Sequence, residues 1–218
     1  MRTGLAAALA VWMTFAAHAE KANLWELAVQ ALEKKDAEEQ PEPGGVLFAG
    51  SSSIVFWKLD KWFPDAPVLN RGFGGSTVPD VLHFFDRVVT KHEPKKIVFY
   101  SGDNDVAKGM AAEDVVKDYT AFLDRVAEEL PDTEVLLISV KPSLARWELW
   151  PVMEEVNAGL AALADKREKV GYMDMSTVML LEDGTPDPDI FVRDGLHLNE
   201  TGYERWTGLV RDFVAAED

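Results

Sequence analysis

An Asp–His pair and three clusters of small polar residues are the groups in this sequence best suited to acyl chemistry. Of the four histidines, His83 and His92 fall in an apolar helical pattern and read as packing or surface residues, and His18 lies in the N-terminal segment. His197 stands in Arg193-Asp-Gly-Leu-His-Leu-Asn199, three residues after Asp194. In a turn, that spacing lets a carboxylate meet one imidazole nitrogen and leaves the other free to take a proton. The pattern alone is common by chance. The chain has no Cys, so disulfides, Cys-ligated zinc, iron–sulfur clusters and a thiolate nucleophile are excluded. A nucleophile must be oxygen or nitrogen, or a bound metal must act in its place. Gly50-Ser51-Ser52-Ser53 offers hydroxyls after an apolar run. Serine there serves equally well as a helix cap. Ile54 occupies the place of the second Gly of a G-x-S-x-G elbow, which excludes an ordinary α/β-hydrolase nucleophile turn. Asn70-Arg-Gly-Phe-Gly-Gly75 offers bare backbone amides, and Gly102-Asp-Asn-Asp105 offers a side-chain amide. Both also read as turn chemistry.

The elements that must position these groups form an alternating pattern. Short apolar runs at Val46–Ala49, Ala66–Leu69, Lys96–Tyr100, Glu134–Val140 and Val170–Met173 read as strands. Helical spacing is found at 20–39, 78–92, 113–130, 147–167 and 202–216, with Pro151 placed in a first turn or a kink. Strands separated by helices imply βαβ units and a mostly parallel five-stranded sheet, α/β in class, covered by helices on both faces. Ligands of such sheets bind at the carboxyl ends of the strands. The three Gly/Ser/Asn clusters come directly after the first three strands, so they are expected on one rim.

Residues 1–19 have the form of a secretory signal peptide. Arg2 gives a positive start, Leu5–Ala16 an apolar core, and Ala17-His18-Ala19 a small-x-small cleavage site. The expectation is an exported protein, periplasmic or secreted, with residues 20–218 as a single domain and no stable membrane insertion after cleavage. The formal net charge of -16 argues against a nucleic-acid partner and against an anionic membrane surface. Asp183-Gly-Thr-Pro-Asp-Pro-Asp189 lacks EF-hand spacing and reads as a solvated acidic turn.

Taken together, the blocks resemble the SGNH hydrolase superfamily, the GDSL-type esterases and lipases, across about Val46 to Trp206. The resemblance implies a three-layer α/β/α flavodoxin-like fold. It also implies residue roles. Ser52, the second residue after Gly50, matches the nucleophile, although Ser51 replaces the family's Asp and leaves Ser51 and Ser53 as rivals. Gly75 matches the oxyanion backbone donor, rather than Gly74 or Gly72, by block alignment. Asn104 matches the side-chain oxyanion donor, and Asp194 and His197 match the acid and base. The expected activity is hydrolysis of a small-molecule ester through an acyl-enzyme, with no metal or organic cofactor required. The short connections after the first two strands favour a small acyl group, such as acetyl, on a carbohydrate or small alcohol. A lysophospholipase or thioesterase, an acyltransferase with the same triad, and a non-catalytic binding module are the alternatives. In Arg146-Trp-Glu-Leu-Trp150, Arg146 is a candidate for an anionic group and Trp147 for a sugar face, or both Trp pack on the sheet.

Overall fold

The computed structural model describes residues 25–215. The chain forms two compact units, divided after Gln40. In the first unit the described residues form one helix, α1, over 25–39, with Gln30 Nε2 donating to Glu26 one turn away. The signal-peptide residues 1–19 lie outside the described residues.

The second unit carries the sheet. Its strands are β1 (Val46–Gly50), β2 (Val68–Gly72), β3 (Lys96–Tyr100), β4 (Glu134–Ile138) and β5 (Val170–Met173). They pair in the order β2-β1-β3-β4-β5, and every pairing is parallel. The sheet expected to be mostly parallel is therefore wholly so. Between the strands run α2 (Ser52–Val55), α3 (Leu59–Trp62), α4 (Val78–His83), α5 (Phe85–Val88), α6 (Asp103–Ala107), α7 (Ala112–Glu129) and α8 (Trp150–Ala164), and α9 (Glu200–Ala215) closes the fold.

Alternate residues of β1, β3 and β4 supply the two faces, as a period of two requires. Val46, Phe48, Val98, Tyr100, Leu136 and Ile138 join one apolar cluster with Trp57, Phe63, Trp206 and Val210. This layer carries α9. On the opposite face, Phe99 stacks on Phe122 of α7 with ring centroids 3.9 Å apart, and Phe85 of α5 meets Phe122 edge-on. Helix α7 packs in turn against α8. The result is a three-layer α/β/α architecture.

Three expected elements differ in detail. The segment 78–92 is not one helix. It breaks at Phe84 (φ -100, ψ 12) into α4, α5 and a 3-10 turn at Thr90–His92. Strand β2 starts at Val68, two residues after the expected start, and runs on to Gly72, where Asn70 and Arg71 are polar yet paired with Phe48 and Ala49. The Asn70 amide satisfies Ile54 O at 2.6 Å and Trp57 O at 3.2 Å, so its polarity serves the turn beside it. Third, helix α8 starts at Trp150, with Pro151 in its first turn and a 3-10 segment, Leu144–Leu149, before it.

Candidate active site

Strand β1 is an inner strand with β2 and β3 on either side, so the turn at its carboxyl end is flanked by the loops after both neighbours. Gly50 ends the strand with φ +134. A Cβ there would lie 1.7 Å from Tyr100 O, so only glycine fits this turn. Ser51 takes the N-cap position of α2 without a side-chain cap bond, and its N–H donates to Tyr100 O at 3.1 Å. The turn is tied to the far end of the chain. Tyr203 Oη donates to Ser53 O at 2.8 Å, and Trp57 Nε1 donates to Thr207 Oγ1 at 3.1 Å.

The three serines separate by burial. Ser51 and Ser53 are 0% and 1% exposed, whereas Ser52 is half-buried at the start of α2. Ser52 Oγ lies 3.0 Å from His197 Nε2. On the other side of the ring, His197 Nδ1 lies 2.6 Å from Asp194 Oδ2. The second Asp194 oxygen accepts the backbone N–H groups of Leu196 at 2.8 Å and His197 at 2.9 Å. Partial burial alone would raise the Asp194 pKa. The hydrogen bonds from His197 and Leu196 outweigh it and bring the carboxyl down to about 2.

The turn that carries this pair is itself fixed. Val192 N–H donates to His197 O at 2.9 Å, and Phe191 bridges Leu198 in antiparallel fashion. Gly195 takes φ +64 at its tip, and its carbonyl accepts Ala145 N–H at 3.0 Å. Asn199 then accepts Gly202 N–H at 3.1 Å, capping α9. The Phe56 ring stands edge-on to the His197 ring at 5.0 Å, a contact that the motifs do not signal.

Beyond β2, a Cβ on Gly74 would lie 3.9 Å from Ser52 Cβ, so this loop runs beside the serine. Gly75 comes next at φ +76 with nothing within 4 Å of its Cβ position. Beyond β3, Asn104 in α6 donates Nδ2 to Ser76 O at 3.0 Å and accepts Arg146 Nη2 on Oδ1 at 3.0 Å. Ser52, the 74–75 loop, Asn104 and the Asp194–His197 pair thus stand on the carboxyl-end rim. Arg146 is engaged with Asn104 and Asp103. Trp147 and Trp150 stack nearly parallel, with centroids 6.0 Å apart and Trp150 buried.

The motifs did not single out Lys141, Asp103 or Asp105. Lys141 Nζ and Arg146 Nη1 both reach Asp103 Oδ2, at 3.2 and 2.9 Å. Burial would raise the Asp103 pKa, but the two cations hold it below the ordinary carboxylate range. The signal available was a Lys three residues after β4 and an acid in the Asn104 cluster. Asp105 is fully buried and accepts Val78 N–H at 3.0 Å, and burial raises its carboxyl to about 6. A cavity of about 650 Å³, lined by Trp62, Pro67, Lys95 and Arg211, opens at the amino-terminal ends of β1 and β3, away from this rim. Among the described residues no group of three or more His, Cys, Asp or Glu side chains is placed to hold a metal ion.

Chemically, a hydroxyl, an imidazole and a carboxylate in one hydrogen-bonded series can move a proton off oxygen. Nearby amides suit a developing oxyanion.

Residues 48–205 match the model of the GDSL-like Lipase/Acylhydrolase family. No curated protein matches the chain. Among solved structures, a Streptococcus pneumonia protein named for platelet activating factor is 21% identical, with TM-score 0.78, over 91% of this chain and 99% of that one. A GDSL-like lipase from Bacteroides thetaiotaomicron is 20% identical, with TM-score 0.71, over 85% and 96%. A mutant of an acetyl-xylooligosaccharide esterase from Geobacillus Stearmophilus is 15% identical, with TM-score 0.63, over 81% and 97%. At these identities the neighbours share the fold, while the family match spans well over half the chain. The chain therefore belongs to the GDSL-like lipase/acylhydrolase family, and is a carboxylic ester hydrolase of the SGNH type.

Proposed function

We propose that this hydrolase cleaves esters of small acyl groups, acetyl-like, on a carbohydrate or other small alcohol, through an acyl-enzyme on Ser52. The observation that carries the mechanism is the Ser52–His197–Asp194 series at 3.0 and 2.6 Å. His197 Nε2 takes the hydroxyl proton as Ser52 Oγ attacks the ester carbonyl. Asp194 holds the ring through Nδ1 and stabilises the imidazolium. The backbone N–H groups of Ser52 and Gly75, with the second amide N–H of Asn104, take the oxyanion. His197 returns its proton to the leaving alcohol. A water deprotonated by His197 then releases the acid and frees Ser52. No step calls for a metal or organic cofactor.

The small-acyl reading draws support from the acetyl-xylooligosaccharide esterase among the structural neighbours. Trp147, partly exposed in the 3-10 segment after β4, is the proposed surface for a sugar face. Arg146 is better assigned elsewhere, since its guanidinium is already engaged.

One observation favours a second reading. Val55, Phe56, Leu144 and Val192 are exposed apolar side chains, all close in sequence to site residues or in contact with the 194–197 turn. Such a rim suits a longer acyl chain, as in a lysophospholipase or thioesterase. Acetyl, butyryl and decanoyl p-nitrophenyl esters distinguish the two. Highest kcat/KM on acetyl supports the small-acyl reading, and highest kcat/KM on decanoyl overturns it. Added acceptor alcohols test acyl transfer, which gives a new ester in place of free acid. Export by residues 1–19 is proposed from the sequence alone, and fractionation of cells expressing the full chain tests it.

A further inference from the structure

The loop after β4 is anchored to α8 and to the Asn104 cluster. Asn157 of α8 clamps Val140, accepting its N–H at 2.7 Å and donating to its carbonyl at 2.9 Å. This fixes the backbone just before Lys141, which is 1% exposed. Lys141 and Arg146 then converge on one oxygen of buried Asp103, and the other arm of Arg146 reaches Asn104 Oδ1.

We propose that Arg146 is a positioning residue for ester hydrolysis, orienting and polarising the Asn104 carboxamide as an oxyanion donor. The inference deepens the serine-esterase reading of Ser52 and rests on it. A carboxamide has two nearly isosteric orientations, and only its partners choose between them. Here both partners have fixed polarity. A guanidinium only donates, so it must face Oδ1, and the Ser76 carbonyl only accepts, so it must face Nδ2. The flipped amide would set donor against donor and oxygen against oxygen. One N–H then goes to Ser76 O, and the other is left to point away from that bond.

Charge adds to orientation. Asp103 bears one negative charge against the two positive charges of Lys141 and Arg146. These three side chains together carry a net positive charge beside Asn104, with Asp105 turned to Val78 N–H. A charge-assisted bond to Oδ1 draws electron density from the amide, and its N–H becomes a stronger donor. The benefit falls on the developing oxyanion more than on a neutral ester, so it appears in kcat rather than KM. Lysine could keep the charge but not span both Asp103 and Asn104 with a planar fork.

The test is a double-mutant cycle on the full chain with p-nitrophenyl acetate, a neutral ester with no anionic group for Arg146 to bind. Arg146→Met is expected to lower kcat by about 10- to 100-fold with KM within about twofold, less than the loss of a whole oxyanion donor. Arg146→Lys should recover part of that loss. In an Asn104→Ala background, Arg146→Met should change kcat by less than about threefold, because the group it acts through is gone. Circular dichroism and Tm report whether each variant is folded. If Arg146→Met is not, the same cycle is run with Arg146→Lys. A loss confined to KM, or a full kcat loss that persists without Asn104, overturns the proposal. Ser52→Ala runs alongside. If it retains activity, the Ser52 reading falls and takes this proposal with it. If it is inactive and the cycle is additive, the Arg146 proposal alone falls.

Discussion

Ser52 Oγ and His197 Nε2 stand 3.0 Å apart although 145 positions separate them in the chain. Ser51 and Ser53, its immediate neighbours, are sealed in the interior. Under the proposed mechanism, Ser52→Ala is expected to reduce kcat by on the order of 10⁶, the loss seen when a serine triad loses its nucleophile. Ser51→Ala removes a buried hydroxyl that has no hydrogen-bond partner among the described residues and should leave both rate and Tm close to the parent. Steady-state kinetics on p-nitrophenyl acetate separate the two, and equal losses would refute the assignment of Ser52.

Asp194 makes one hydrogen bond to the imidazole and two to backbone amides. Asparagine preserves the shape but presents the wrong polarity to Nδ1–H. Asp194→Asn should cost about 10⁴ in kcat with little change in fold. Because its carboxyl lies at about 2, Asp194 stays ionised throughout mildly acidic pH. Loss of rate between pH 4 and 6 then does not arise from Asp194, and a pH–rate profile of the parent that needs a carboxylate titrating at this position would contradict the geometry.

Two buried groups push stability in opposite directions with pH. Burial raises Asp105 to about 6, so between pH 4 and 6 the unfolded chain has released this proton and the folded chain has not. Stability falls with rising pH on that account, by about 3 kcal/mol in all. His92 is lowered to about 4, by burial first and then by Arg71 and Lys91. Its unfolded form protonates first as pH drops, so stability on that account rises with pH over the same interval. Asp105→Asn keeps an acceptor for Val78 N–H and removes the first effect. Urea unfolding at pH 4, 5, 6 and 7 should show the variant gaining on the parent as pH rises. Parallel curves would refute the assignment.

Gly50→Ala should prevent folding, or lower stability by more than about 4 kcal/mol, because the new Cβ would overlap Tyr100 O at φ +134. Gly184→Ala is the control. It too has positive φ, +81, but meets nothing within 4 Å, so it should cost only about 1 kcal/mol. Thermal melts of the two variants check the contrast.

The sheet and its rim were legible because the strands are short and mostly apolar, and because Gly, Ser, Asn and Asp clusters follow the first three of them. Ser52, Asn104, Asp194 and His197 lie in local patterns of three to five residues, which a single sequence displays. Arg146 was legible as a residue but not as a partner. Its bond to Asn104 spans 42 positions, and nothing in the local pattern fixes where a guanidinium will point. The same limit hid Lys141 and Asp103, whose charges in sequence look like surface residues until burial pairs them. Helix α4 and α5 read as one because Val81, Leu82, Phe85 and Val88 keep helical spacing across a break that lies in the backbone at Phe84. Asn70 and Arg71 obscured the end of β2, since polar residues seldom mark a paired strand.

The order β2-β1-β3-β4-β5 has a kinetic consequence. Each parallel pairing joins strands that are distant in the chain, and the last turn before α9 must return to the first strand's end. Such non-local closure is slow compared with forming α7 or α8. During refolding, helical signal should recover well before hydrolysis does. A chain still emerging from a ribosome carries Ser52 without His197 beside it, and under the proposed mechanism it is inert until the final turn docks.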